Sequence, residues 1–167
     1  LEPLRGPVHF GIPTDYAQTF LQKFIPRIRG AFPELEPRIT CGRSSRLREL
    51  VTAGDLDVAI VTGESQFAPE KSLWSEALCW YASVGLPINT EEALPVALLE
   101  SDCALRDFAA TDLRQSGLDY HTLMTSTDMA NLYSAVESGL AIALLPESSV
   151  ISSRVRPVQL DQLPGQR

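Results

Sequence analysis

Residues 8–64 decide the fold of this chain. They read VHFGIPTD (8–15), then RITCGRSS (38–45), then DVAIVTGE (57–64), and helical patterns fill both gaps. Strands that alternate with helices predict an α/β fold with a parallel sheet. Parallel strands place their carboxyl-terminal turns at one edge of the sheet, where helix N-termini offer N–H groups and partial positive charge. This edge is therefore expected to bind a small polar or anionic ligand.

The composition is that of a globular protein. The chain has 167 residues, of which 44% are hydrophobic and 21% charged, enough for one domain or two small lobes. The net charge of −7 argues against nucleic-acid or membrane-surface binding by this segment, and no apolar run reaches the ~20 residues of a membrane span. Cys41, Cys79 and Cys103 form no C-x-x-C pair. They predict buried, reduced thiols and a cytoplasmic protein.

The first helix is expected over residues 16–32. Asp15 and Gln18 have the spacing of a capping box, and Pro26 predicts a kink. An apolar stripe at three- and four-residue steps predicts packing into the core for most of its members and dimer contact for a minority. The stripe consists of Phe20, Leu21, Phe24, Ile25, Ile28 and Phe32.

The rest of the chain predicts one more short helix and then a second α/β block. The helix covers residues 45–53, and the strand at 57–61 is apolar enough to be central in its sheet. Helices are expected to end near Gly54, Gly117 and Gly139. The expected lobes are 1–78 and 79–167. The second block has strands at 94–99, 120–124, 140–145 and 155–160, and helices at 102–115 and 128–138.

Hydroxyl side chains, rather than a catalytic set, mark the candidate site. The chain has two histidines, no nucleophile or phosphate-loop motif and no metal or cofactor signature. Hydroxyls at strand ends either cap helices or together receive a carboxylate or sulfate without a buried counter-charge. Arg43, in a turn, could reach such a ligand. Trp80 is expected to pack beneath a connector rather than to line a pocket. The hydroxyl residues are Thr14, Ser44, Ser45, Thr62, Ser126 and Thr127.

The order of these motifs resembles one known family. Phe10-Gly11-Ile12, Phe24-Ile25-Pro26, Phe32-Pro33 and Gly42 precede the turn and strand GDLDVAI (54–60). The second half has SGLAIALLP (138–146), with Ala141 where the family usually has glycine. The pattern covers nearly the whole chain and resembles the effector-binding domain of LysR-type transcriptional regulators.

The resemblance implies a fold and a function. The fold would be that of type 2 periplasmic binding proteins, with two Rossmann-like α/β lobes, crossing strands and a ligand cleft. The function would be to sense a small-molecule effector, a carboxylate or another small anion, in a homodimer or tetramer. DNA would be bound only through an N-terminal winged helix-turn-helix that this sequence lacks. A strand returning to the first lobe and a terminal helix, usual in the family, are also missing.

By position, the resemblance assigns effector contacts to the strand-end turns. Asp15 is a departure, because a carboxylate there would repel an anion. The implied effector-binding residues are Pro13, Thr14, Asp15, Ser44, Ser45 and Thr62 in the first lobe and Ser126 and Thr127 in the second.

Two other functions fit the same fold. A secreted solute-binding protein is the main alternative, but no signal peptide is recognisable and the cysteines are unpaired. An enzyme such as a deaminase or dehydratase is less favoured, because no acid and base residues converge in the sequence.

Overall fold

The computed structural model describes residues 4–63, 70–100 and 103–166. The chain separates into two compact units, Leu1–Gly63 and Glu64–Arg167. The expected division after residue 78 stays a prediction.

The first unit contains a parallel sheet in the order β2-β1-β3. Its strands are β1 (Gly6–Pro13), β2 (Leu35–Gly42) and β3 (Val58–Ala59). The register of β1 on β2 ends with Pro13 opposite Gly42, so both strands finish at the same edge. The prediction of a long, central third strand was wrong: β3 has two residues and lies at the side of the described sheet, with Val58 43% exposed.

The first helix follows β1 directly and is not a uniform α-helix. It begins with a 3-10 turn at Thr14–Tyr16 and continues through α1 (Ala17–Thr19), a π-helical turn at Phe20–Phe24 and α2 (Ile25–Ala31). Pro26 lies in the first turn of α2, directly after the π-helical turn. A proline removes one helical hydrogen bond, and a π turn is a common way to accommodate that loss.

The start of this helix has no side-chain cap. Asp15 lies inside the 3-10 turn, whose N-cap is Pro13, and the N-cap of α1 is Tyr16. Neither cap makes a side-chain hydrogen bond, so the predicted capping box between Asp15 and Gln18 was wrong. The 3-10 turn takes the place of the regular first turn of an α-helix, which a capping box requires.

Half of the apolar stripe on this helix is exposed. Phe20 and Ile25 join Ile12 in the core of the first unit, and Ile28 packs partly against it. The prediction that most of the stripe is core was therefore wrong, because the π turn changes which side chains face the sheet. The exposed members are Leu21, Phe24 and Phe32, between 39% and 45% exposed.

The helix α3 (Ser44–Ala53) packs closely on β1. Leu47 is fully buried, and a Cβ placed on Gly11 would lie 2.8 Å from the Cβ of Ala59 and 3.0 Å from a methyl group of Leu47. Only glycine fits this close approach of helix, strand and sheet. As predicted, α3 ends at Gly54, whose φ is 81°.

The second unit combines parallel and antiparallel strands. In one sheet, β4 (Leu78–Ser83) pairs antiparallel with both β7 (Ala143–Pro146) and β8 (Val155–Pro157). In a second sheet, β5 (Leu94–Leu99) pairs parallel with β6 (Tyr120–Ser126). A parallel bridge between Val96 and Ile142 connects β5 to the chain entering β7. The long helices of this unit are α4 (Ala104–Ser116) and α5 (Met129–Glu137).

Trp80 is a core residue of this unit, as expected. It is 1% exposed in β4, and its indole Nε1–H donates to Oδ2 of Asp112 on α4 at 2.8 Å. Asp112 is 2% exposed, so this hydrogen bond satisfies a polar group that would otherwise be costly to bury. The contact fixes α4 against the sheet.

The cysteines differ from the prediction in one respect. Cys79 is buried and Cys103 partly buried, but Cys41 is exposed. The expectation of three buried thiols was therefore wrong for Cys41, which lies on β2, at the other side of the three-stranded sheet from β3.

Candidate functional site

The carboxyl edge of the first sheet brings two predicted site residues together. The Oγ of Ser44 and the Oγ1 of Thr62 lie 3.0 Å apart, and the backbone N–H of Thr62 donates to Ser44 Oγ at 2.9 Å. Ser44 opens α3, and Thr62 follows the short strand β3. Both residues are partly buried. The sequence argument that strand ends meet at one edge is thus supported by a direct contact.

The other predicted residues of this unit follow the same strand ends. Pro13 is buried as the last residue of β1, with Thr14 exposed and Asp15 partly buried after it. Because Pro13 lies opposite Gly42, the next residues, Thr14 and Arg43, leave the sheet from adjacent positions. Ser45 is partly buried in the first turn of α3.

Helix capping does not account for Ser44. The N-cap of α3 is Arg43, in an extended conformation, and its side chain makes no capping hydrogen bond. The Ser44 side chain instead binds Thr62, 18 residues along the chain. The hydroxyl thus connects two segments that each follow a strand of this sheet.

In the second unit, Ser126 organises the turn that follows β6. Its Oγ accepts hydrogen bonds from the Asp128 N–H and from the Asn131 amide nitrogen, both at 3.0 Å. The cap of α5 is Asp128, which accepts from the Ala130 N–H at 2.9 Å, while Thr127 is exposed. Ser126 therefore has an established local role, and any ligand contact of Ser126 or Thr127 stays a prediction.

Sequence reasoning missed the partners that hold these hydroxyls. Asn131 was not singled out, although its position one turn into α5 places it within reach of the preceding strand end. The Trp80–Asp112 pair carried no recognisable spacing, since 32 residues separate the two side chains. Only tertiary packing reveals such a pair.

Two groups with displaced pKa values, Cys79 and Tyr81, lie in the second unit. Burial raises the pKa of the Cys79 thiol, opposed by a hydrogen bond with the Trp80 backbone and reinforced by the charge of Glu147. Burial also raises the pKa of Tyr81, two residues along the same strand. Both side chains are thus neutral at physiological pH.

The described ranges 4–63, 70–100 and 103–166 contain neither a metal-binding cluster nor a membrane-spanning helix. Within them, no group of three or more His, Cys, Asp or Glu side chains is arranged to hold a metal ion. Nor does any helix in that part of the chain have the length and apolar character that a membrane span requires.

Comparison with known proteins identifies relatives. The family described as "LysR substrate binding domain" matches residues 1–167. The HTH-type transcriptional regulator DgdR of Burkholderia cepacia is 32% identical over 148 residues, which are 88% of this chain and 50% of that protein. The chain thus spans about half the length of this relative.

Solved structures share the fold. The regulatory domain of Synechocystis PCC6803 CcmR, in complex with 2-PG, matches with a TM-score of 0.75 at 15% identity, over 98% of this chain and 85% of that chain. The bromide-bound regulatory domain of HypT from Salmonella typhimurium matches with a TM-score of 0.73 at 17% identity, over 96% and 81%. DgdR is a transcriptional regulator, which favours a regulator over a periplasmic solute-binding protein. With its type 2 periplasmic-binding-protein-like fold, the chain belongs to the LysR substrate-binding domain family and is the effector-binding domain of a LysR-type regulator.

Proposed function

We propose that this domain controls a bacterial transcription factor by binding a small molecule at the carboxyl edge of its first sheet. The hydrogen-bonded pair of Ser44 and Thr62 is the observation that carries the proposal. Ligand binding would favour one arrangement of the whole protein over another, and so change how an N-terminal helix-turn-helix engages DNA. The proposed regulator is cytoplasmic and not an enzyme.

The proposed effector carries a carboxylate or another small anionic group. Neutral hydroxyls, the N-terminus of the ten-residue helix α3 and the exposed Arg43 favour negative charge at this edge. The carboxylate of Asp15, in the neighbouring turn, would repel an anion. It would therefore favour ligands whose anionic group lies near Ser44. The bromide in the HypT regulatory domain shows that a relative of this fold holds a small anion. Pro13, Thr14 and Ser45 stay in the proposed contact set at this edge, and ligand contacts of Ser126 and Thr127 in the second unit stay a prediction.

A thermal-shift screen of carboxylate metabolites tests this proposal. A ligand at 100 times its dissociation constant adds about 2.7 kcal/mol of stability, which corresponds to roughly 5–10 °C for a chain of this size. The rise in melting temperature is expected to shrink in Thr62→Val. It is expected to persist in Thr52→Val, a matched change near the C-terminal end of α3, where the Thr52 hydroxyl donates to the Arg48 carbonyl. Ligands that stabilise Thr62→Val and Thr52→Val equally would show that the effector binds away from the carboxyl edge of the first sheet.

DNA binding is proposed to require the N-terminal domain. The domain alone, with a net charge of −7, is expected to leave promoter DNA unretarded in a mobility-shift assay, whereas the full-length protein retards it. Retardation of promoter DNA by the isolated domain would contradict the proposed need for the N-terminal domain. Turnover of any hit from the screen would contradict the non-enzymatic assignment.

Dimerisation is proposed to pair unlike units of two copies. Residues 1–63 contain eight Lys and Arg and seven Asp and Glu, whereas residues 64–167 contain six and fourteen, so the units differ in charge by nine. Like units would repel through the acidic second unit, and unlike units would attract. A twofold axis gives two such contacts in one isologous interface.

Exposed apolar side chains mark the surfaces for this pairing. In the first unit, Leu21 and Phe24 lie on the helix that also carries Lys23, Arg27 and Arg29. In the second, β6 exposes Tyr120 (42%) and Leu123 (43%), and the adjoining residue 119 is an aspartate. Exposed apolar surface rimmed by charged residues is typical of protein interfaces. β6 also has one side without a strand partner in the described part of the sheet.

Charge reversal tests the pairing of unlike units. Arg27→Glu and Asp119→Lys are each expected to weaken the dimer in sedimentation velocity, and combining them in one chain is expected to recover much of the loss. Arg46→Glu, an exposed change on α3, is the control and should leave the dimer unchanged. Failure of the double variant to recover, with both single variants weakened, would refute the contact between unlike units.

A further inference from the structure

The chain that enters β4 is bound to the turn that follows β7. At the outer end of the antiparallel register between these strands, Leu78 lies opposite Pro146. One residue further out, the backbone N–H of Glu147 donates to the Ala77 carbonyl at 3.0 Å and extends the pairing. The chain is therefore held beyond the end of β4 itself.

A side chain continues this contact after the last backbone hydrogen bond. Residues Glu147–Ser149 form a 3-10 turn, and its N-cap, Pro146, makes no side-chain hydrogen bond. Helical turns leave N–H groups unpaired at their start. The carboxylate of the partly buried Glu76 accepts one of them, the Ser148 N–H, at 2.8 Å and across 72 residues of sequence. A carboxylate is a stronger acceptor than a neutral oxygen.

Two further observations bring other groups to the same turn. The carboxylate of Glu147 accepts from the Gln166 amide nitrogen at 3.2 Å. Burial raises the pKa of Tyr81 most, and the charges of Cys79, Glu147 and Glu76 raise it further. Glu76 and Glu147 thus lie within electrostatic range of the same β4 side chain, in agreement with their direct contacts.

We propose that Glu76 is a positioning residue which, with the turn Glu147–Ser149, forms a clasp that fixes the connecting chain, residues 70–77, to the second unit from Glu76 onward. Residues 71–75 of this chain are exposed, and Trp74 is 54% exposed. A displacement of these residues would stop at Glu76 and would reach β4 and β7 together, rather than β4 alone. The clasp goes beyond the proposed function, because it belongs to the free domain and does not depend on which effector binds.

Amide hydrogen exchange on the 167-residue domain tests the contact. Glu76→Ala removes the acceptor, so exchange at the Ser148 amide should accelerate roughly threefold or more, as for the loss of one hydrogen bond. Glu76→Gln retains an acceptor oxygen and should restore most of the protection. Unchanged exchange at Ser148 in Glu76→Ala would overturn the clasp.

Fluorotryptophan labelling and fluorine NMR test whether the clasp fixes the connecting chain. The sequence has two tryptophans: Trp74, two residues before Glu76, and Trp80, which is 1% exposed in β4. In Glu76→Ala the Trp74 resonance should narrow and move toward its position in the urea-unfolded protein, while the Trp80 resonance stays unchanged. Glu76→Gln should return the Trp74 resonance toward that of the parent.

Two outcomes of the labelling experiment would contradict the positioning role. If Ser148 exchange accelerates in Glu76→Ala and the Trp74 resonance stays in place, the hydrogen bond stabilises only the turn. If the Trp74 and Trp80 resonances shift together in Glu76→Ala, the substitution disturbs the whole unit rather than releasing the connecting chain. Either result would overturn the proposal.

Two variants serve as controls. Gln166→Ala removes the other side-chain contact of the turn, and Glu92→Ala removes an exposed carboxylate from the loop before β5. Neither should alter Ser148 exchange or the Trp74 resonance. An effect of Gln166→Ala as large as that of Glu76→Ala would show that any loosening of the turn releases the chain, and would overturn the specific role of Glu76. Because these measurements use no ligand, a metabolite screen without hits would leave their outcome unaffected.

Discussion

Replacing Gly11 by alanine tests how the first unit is packed. The new Cβ would lie 2.8 Å from the Cβ of Ala59, 2.8 Å from a methyl group of Leu56 and 3.0 Å from a methyl group of Leu47. Carbon atoms prefer about 3.5–4.0 Å. The leucine methyls can rotate away, but the Ala59 Cβ is fixed to the backbone of β3. Relief therefore requires β3 to move away from β1.

Overpacking of this kind costs about 1–3 kcal/mol, and the rigid contact with Ala59 favours the upper half of that range. With a urea m-value of about 2 kcal/mol/M, the midpoint of unfolding should fall by roughly 1 M. Far-UV circular dichroism during urea titration provides the measurement, since strands and helices of the unit contribute to it. Ala59→Gly should recover part of the loss in the double variant, because it removes the rigid contact.

The matched control is Gly30→Ala, on the exposed side of α2. A Cβ there meets no atom within 4 Å, and alanine is favoured over glycine within a helix by up to about 1 kcal/mol. The same chemical change should thus stabilise at position 30 and destabilise at position 11. If Gly11→Ala unfolded at or above the urea midpoint of the parent while Gly30→Ala behaved as expected, the close packing of α3 on β1 would be refuted.

Three further outcomes concern the second unit and the thiols. Asp112→Ala strands the Trp80 indole N–H in the core, so it should cost about 1–3 kcal/mol in urea unfolding, whereas Asp112→Asn, which keeps an acceptor, should cost less. Burial raises the pKa of the Cys79 thiol in the folded state. The neutral thiol therefore contributes its full stability below the pKa of the unfolded thiol, about 8.5, and this contribution is lost as the pH rises through the folded-state pKa. Cys79→Ala should thus show a shallower decline in the free energy of unfolding between pH 8 and 10. With a thiol reagent, Cys41 should react at once in the folded protein and Cys79 only on unfolding.

The shared edge at the candidate site could be anticipated from sequence because it depends on local patterns. Short apolar segments followed by polar turns predicted where β1 and β2 end, and glycine predicted the end of α3. The contact of Ser44 with Thr62 follows from the parallel arrangement, which brings residues 18 positions apart to one edge. What sequence could not decide is which hydroxyls bind each other and which, like Ser126, bind a nearby backbone.

The exposed face of the first helix was predicted less well, because it depends on which side chains the helix turns toward the sheet. An α-helical period places Phe20 and Phe24 on one face and Ile25 well away from Phe20. The structure buries Phe20 and Ile25 instead and leaves Phe24 43% exposed. The π-helical turn between them adds a residue to one turn of the helix, and no residue pattern in this segment announced it.

If the π turn sets which face of the helix is buried, one of its residues should be dispensable. Deleting Gln22, which is exposed, would place Phe20 and Ile25 four positions apart, so a regular α-helix could bury both. Deleting Gln18, also exposed, would instead rotate Tyr16 and Ala17 by about 100° relative to the core they pack against. The Gln22 deletion should therefore unfold cooperatively within about 1 kcal/mol of the parent, while the Gln18 deletion should lose several, as for the loss of buried side chains. Equal losses from the two deletions would show that the π turn does not set which face of this helix is buried.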